Sequence, residues 1–173
     1  MLKTGNRINL RRLAPQDLDL FHAYRSDAQV ARFQDWSQMS RPEALQFLQS
    51  MASDPLFQKG HWSQIAIADV DDDRLLGDLG IHISANGVEA ELGITLSAAA
   101  QGRGLGEDAC RLAFDLIWDT TLAQVIRIWT LKANVAAQAL CSRLPLEPLG
   151  LETTPDDNGK IVEEFAYRVR RPE

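Results

Sequence analysis

The sequence predicts an α/β (α+β) fold. Three observations carry that expectation: β-like runs joined by tight turns in mid-chain, apolar stripes at helical spacing on either side, and a strand, helix, strand crossover opened by a glycine-rich turn. With 173 residues, 45% hydrophobic and 24% charged, the chain can bury a substantial core and has no bias toward disorder or fibrous repetition. One domain over residues 1–173 is the expected organisation, with no internal repeat or linker.

Ile8 to Leu13 alternates in character and reads as an opening strand, ended by Ala14-Pro15. Pro15 suits the first turn of a helix through Leu18, Phe21 and Tyr24, because its missing N–H has no helical partner to lose. Ser40-Arg41-Pro42-Glu43 carries a capping-box pattern, and Leu45, Leu48 and Met51 then recur at helical spacing, so a second helix is expected from Arg41 to Ser53. The period then changes. Trp62 to Val70, Leu75 to Ser84 and Val88 to Leu96 are β-like; the last two flank Asn86-Gly87, a strong hairpin signal, which makes the three an antiparallel meander. In the third run Val88, Ala90, Leu92, Ile94 and Leu96 share one face, leaving Glu89, Glu91, Gly93 and Thr95 on the other. Ala109, Leu112, Ala113, Leu116 and Ile117 form the next helical stripe, and Val125 to Leu131 the next strand. Asn134 is a candidate N-cap for a short helix through Leu140, stopped by Pro145. A turn at Asp156-Asp157-Asn158-Gly159 and a strand from Val162 to Val169 finish the chain.

Composition excludes several classes. A formal net charge of −6 disfavours a general phosphate-backbone binder, so nucleic acid is not an expected partner; acidity favours cationic ligands such as amines. No run approaches the roughly 18 apolar residues of a membrane span, and the first residues lack the apolar centre of a signal peptide, so the expectation is a cytoplasmic protein without a membrane partner. Cys110 and Cys141 lack metal-ligand spacing, which predicts neither a metal site nor a redox pair.

The run Gln101-Gly102-Arg103-Gly104-Leu105-Gly106 sits between a strand pattern and a helix pattern. Its glycines let the backbone turn sharply and bring N–H groups to a helix start, where the peptide dipoles favour an anion. A Walker-type loop is disfavoured, since Glu107-Asp108 follows where Lys-Ser or Lys-Thr is needed. A dinucleotide fingerprint would need its third glycine one position later, in an early βα unit. A plain structural turn explains the glycines but not the flanking Gln101 and Arg103.

Gln101-x-x-Gly104-x-Gly106 resembles the acyl-coenzyme-A pyrophosphate loop of the GNAT superfamily of N-acetyltransferases. Glu91-Leu92-Gly93-Ile94, Asp108-Ala109, the run Arg74 to His82 and Asn134 are similar to patterns of its RimJ/RimL-like branch, which acetylates ribosomal-protein N-termini, and the likeness spans Ile8 to Arg168. The resemblance implies a mixed, largely antiparallel sheet of about six to seven strands with about four helices, and acetyl-CoA as co-substrate. It implies that Ile94, Thr95 and Leu96 pair with the pantetheine arm, that Gln101, Gly102, Arg103, Gly104, Leu105 and Gly106 wrap the pyrophosphate, and that Asn134 contacts the coenzyme. Two positions depart from the family pattern. Pro145-Leu146 replaces a frequent Gly-Phe, and Cys141 stands where many members carry a tyrosine that protonates the leaving thiolate.

An amine must lose a proton before it attacks a thioester. At pH 7 this costs roughly 4.6 kcal/mol for a lysine amine but about 1 kcal/mol for a protein α-amine. Glu91, beside the expected acyl site, is the candidate base, directly or through water, and Cys141 the candidate acid. Asp78 and His82 are candidates for binding or deprotonating the amine. Phe33 and Trp36, between the first two helices, are candidates for the acceptor pocket, where the family builds it. The acceptor remains a protein N-terminus, a polyamine, an aminoglycoside or another small amine. A non-catalytic acyl-CoA-binding sensor is the rival reading, and a homodimer the symmetric assembly to expect first.

Overall fold

The structure is a computed structural model, and it describes all residues except Asp35, Ser37, Asp156, Asp157, Asn158, Lys160 and the side chain of Thr154. Strands β1 (Lys3–Thr4) and β2 (Ile8–Arg12) lead through a 3-10 turn at Pro15–Asp17 into helix α1 (Leu18–Arg25), followed by α2 (Ala28–Ala31) and α3 (Arg41–Ser53). The meander is β3 (Trp62–Asp69), β4 (Leu75–Ile83) and β5 (Glu89–Leu96). Then come α4 (Leu105–Thr120), β6 (Val125–Leu131), α5 (Val135–Cys141), β7 (Glu147–Pro155) and β8 (Ile161–Arg170).

Local chemistry explains the boundaries. The Glu43 carboxylate accepts from both the backbone N–H and the hydroxyl of Ser40, at 2.7 and 2.6 Å, and starts α3 where the capping pattern predicts. At the β4–β5 hairpin, Asn86 Oδ1 accepts from the Val88 N–H at 2.9 Å while Gly87 takes a φ of +78°. Asn134 caps α5 by accepting from the Ala137 N–H at 3.1 Å.

The eight strands form one sheet in the order β1-β2-β3-β4-β5-β6-β8-β7. All neighbours are antiparallel except β5 and β6, which α4 connects as a parallel crossover. Helices cover both faces. Ile8, Leu10, Ile67, Leu79 and Ile81 pack with Ala109, Ala113, Leu116 and Ile117 of α4, while Phe21 and Tyr24 of α1 and Leu48 of α3 pack over Ala66 and Leu75. Each fully buried Leu, Ile or Phe stabilises the fold by roughly 1.5–3 kcal/mol.

Among the described residues, eight strands and five α-helices exceed the expected six to seven and four. The two-residue β1 and four-residue α2 are too short to show a period, and β7 contains Pro148 and Pro155, which argue against a strand. β7 forms because it lies at the sheet edge, where proline costs no ladder bond, and a register shift at Pro148/Gly150 absorbs the irregularity. Of the expected turn at Asp156–Gly159, only Gly159 lies within the described residues, with a φ of +77°.

Candidate active site

The sheet opens at one place. β5 and β6 pair at Glu89↔Val125, Ala90↔Ile126 and Glu91↔Arg127, and there the ladder stops. Arg127 pins the paired end through two hydrogen bonds to the Glu89 carboxylate, at 3.1 and 3.2 Å. Beyond Glu91, β5 stays paired with β4 and β6 with β8, so the two strands part and expose backbone hydrogen-bonding groups on facing edges. A cleft of about 660 Å³ occupies the opening, lined by Glu91, Gly93 and Ile94 from one edge and by Ile128 to Leu131 from the other.

The glycine-rich turn sits at the start of α4. Gly102 and Gly104 take φ values of +71° and +77°, a region that disfavours side chains with a Cβ. Gly104 is the N-cap, and no side chain caps the helix. Among the described residues, no N–H from Gly102 to Glu107 donates to another group of the protein. Such a row of donors at a sixteen-residue helix fits a phosphate group. The adjacent acids are neutralised by neighbours. Arg7 donates to Asp108 at 2.7 Å and to the Arg103 carbonyl at 2.9 Å, while Arg111 and Arg143 approach Glu107 at 3.1 and 3.4 Å. Gln101 donates to the Leu96 carbonyl at 3.0 Å, tying the turn to the open strand. Arg103 makes no ion pair among the described residues. Sequence reasoning missed Arg7, whose distance of 96 residues from the turn leaves no local signal.

The candidate residues divide into those the cleft gathers and those it does not. Glu91, Phe33, Ile94, Asn134 and Cys141 line it. Thr95 is buried opposite Asp78, and Leu96 packs near Gly106, so neither side chain lines the cleft. Burial pushes the Cys141 thiol up to about 11, so it stays protonated at neutral pH, but an S–H is a weak donor.

Asp78 is placed elsewhere. It is fully buried and accepts from Tyr24, from Arg25 at 2.8 Å and from Gln64 at 2.5 Å. With three donors and no place in the cleft lining, it anchors α1 to the sheet instead of meeting an amine. His82 lies against Trp62, ring centroids 5.3 Å apart and planes tilted by 39°, also outside that lining. Trp36 lies under the Arg25 guanidinium, 4.4 Å from its ring, and packs on the core beneath α1 and α3, which leaves Phe33 as the aromatic of that segment in the cleft.

Trp129, Glu152 and Glu164 also line the cleft. Trp129 donates from its indole to Glu152 at 3.0 Å, and Glu152 stands opposite Glu164 in the β7–β8 ladder. The carboxylates of Glu152 and Glu164 escape sequence reasoning because their placement depends on the pairing of β7 with β8.

The family model of the acetyltransferase (GNAT) domain matches residues 7–147. The chain belongs to that family. No curated protein matches significantly. Among solved structures, a GNAT-family acetyltransferase from Bacillus anthracis superposes with a TM-score of 0.82 at 14% identity, covering 97% of each chain. Spermidine N-acetyltransferase from Vibrio cholerae, solved with CoA and spermine, gives 0.79 at 16% identity over 96% of each chain. A Vibrio cholerae protein assigned as a ribosomal-protein-serine acetyltransferase gives 0.80 at 19% identity, covering 97% of this chain and 96% of that one. These likenesses establish the GNAT fold, and the family match makes the chain an acetyltransferase domain. Among the described residues no cluster fit for a metal ion occurs, and no helix is long and apolar enough to cross a membrane.

Proposed function

We propose that the protein transfers the acetyl group of acetyl-CoA to a primary amine by direct attack, both substrates being held together in the β5–β6 cleft. The observation that carries this reading is the coincidence of two features at one corner: unpaired N–H groups at the start of α4, and a sheet that opens immediately beyond Glu91. The first holds the coenzyme diphosphate. The second offers the free edge of β5 to the pantetheine arm, as an added strand is held, and aligns the thioester for attack.

Within this reading the Ile94 N–H stabilises the oxyanion that develops on the thioester carbonyl. Glu91 takes the proton from the amine, directly or through water, because it occupies the last paired rung before the opening. The amine enters past Phe33 and Trp129, where Glu152 and Glu164 add negative charge that favours a cation. Acceptors in range are a protein N-terminus, as in the RimJ/RimL-like branch, or a polyamine, aminoglycoside or other small amine. Residues 1–173 act as one acyltransferase domain in the cytoplasm, with a homodimer as its symmetric assembly.

A thiol-release assay with acetyl-CoA tests the proposal against N-terminal Ser and Ala peptides, spermidine and an aminoglycoside. The expected result is turnover of at least one of them. Binding of CoA without turnover of any acceptor supports the sensor reading instead, and a thermal shift with ATP or NAD but none with CoA overturns the coenzyme assignment.

A further inference from the structure

Strands β4 and β5 contain three glycines, and two of them are explained by what they touch. A Cβ at Gly77 would collide with the Thr95 carbonyl oxygen, and one at Gly80 would come 3.1 Å from the Gln64 side-chain oxygen and 3.2 Å from the Trp62 ring. Gly93 is different. It faces Gly80 across a β4–β5 rung, its φ lies outside the left-handed region, and a Cβ there would meet no described atom within 4 Å. Neither backbone conformation nor packing within the chain calls for glycine at this position. A glycine inside a strand weakens it, through lost chain entropy and an absent packing partner, and marks a place where a ligand can approach the backbone closely.

The surroundings indicate which ligand. Gly93 is exposed and lines the cleft. It stands two residues beyond Glu91, hence on the same face of β5, and the peptide that follows it carries the Ile94 N–H. The last rung before the opening pairs Glu91 with Arg127, so Trp129, two residues beyond Arg127, shares that face on the opposite edge. A 3.0 Å hydrogen bond to Glu152 holds the Trp129 indole in place. In the transferase reading the amine must reach both the Glu91 carboxylate and the carbonyl carbon whose oxygen the Ile94 N–H stabilises. Gly93 lies between those two groups, so the carbon that bears the amine passes directly over it.

We propose that Gly93 is a specificity-determining residue, which keeps the cleft floor bare so that the amine-bearing carbon of the acceptor seats against the backbone of β5, facing Trp129. The strand sacrifices stability there for access. Acceptors with a substituent on that carbon, as peptide α-amines carry, depend on the space more than acceptors with a methylene there. This inference rests on the transferase reading of the cleft.

Gly93→Ala and Gly93→Val test it through two measurements that a purely structural glycine would move together. Both variants should keep or raise the urea midpoint, because the strand gains a side chain without a clash and the unfolded chain loses freedom. Calorimetric affinity for CoA should stay within about twofold of wild type. With the acceptor turned over fastest in the panel, kcat/KM should fall about tenfold in Gly93→Ala, mostly through acceptor KM, and about a hundredfold in Gly93→Val. Among acceptors the wild type uses, those branched at the amine-bearing carbon should lose more than unbranched ones. A urea midpoint lowered in both variants makes Gly93 structural and overturns the inference, as does an unchanged kcat/KM. Affinity for CoA weakened as much as acceptor turnover gives the space to the coenzyme and overturns it as well. Each of these leaves the transferase reading standing, whereas a wild type that turns over no amine defeats both.

Discussion

At the scale of single residues, Glu91 and the two cysteines make claims that measurement can check. Replacing Glu91 by Gln keeps the shape and removes the base. A positioned general base contributes about 10²–10⁴-fold, so kcat should fall by roughly 10²-fold while affinity for CoA stays within about twofold. An unchanged kcat assigns the proton to another group. Burial raises the Cys110 thiol to about 12 and the Cys141 thiol to about 11, from an ordinary 9.0. The unfolded chain therefore releases protons above pH 9 that the folded chain retains, so the stabilisation is complete below pH 9 and declines as pH climbs toward 11–12. Urea midpoints measured from pH 7 to 11 should hold until about 9 and then fall; Cys110→Ala should flatten the fall, although it lowers stability at every pH by opening a small cavity.

At the scale of elements, the glycine-rich turn and the edge strand show opposite degrees of legibility. The turn was readable because its requirement is local: φ values of +71° and +77° at Gly102 and Gly104 demand residues without a Cβ. Gly104→Val should remain folded by circular dichroism yet bind CoA at least tenfold more weakly, since a β-branched residue strains this backbone and rotates the N–H row. Unchanged affinity makes the turn merely structural. β7 was unreadable because its two prolines oppose strand formation and only pairing with β8 overrides them. With β7 went the placement of Glu152, and so the acidity of the cleft.

At the scale of the whole molecule, the cleft is a consequence of topology. β5 and β6 are each held along the other edge by an antiparallel partner, and between them run a parallel ladder of three rungs and the Arg127–Glu89 ion pair at its closed end. The same assembly separates Phe33 from Trp36, which share a segment but belong to the cleft and to the core under α1 and α3 respectively. Phe33→Ala should therefore alter acceptor KM several-fold without changing urea stability, whereas Trp36→Ala should lower stability, by less than the roughly 3–5 kcal/mol of a fully buried Trp because Trp36 is only partly buried. Steady-state kinetics and denaturant titration on the two variants separate these outcomes; identical effects would erase the distinction.

The sequence alone determined the order of the main strands and helices, the glycine-rich turn and the family likeness, because caps, turns and hydrophobic periods are set by neighbours a few residues apart. Tertiary structure decided where the carboxylates went. Asp78 and Glu91 are both polar-face strand residues in sequence, yet one is sealed beneath α1 with three donors and the other meets the cleft. Glu152 reaches the cleft only because β7 pairs with β8 and β8 inserts beside β6, pairings between distant parts of the chain that no local pattern encodes.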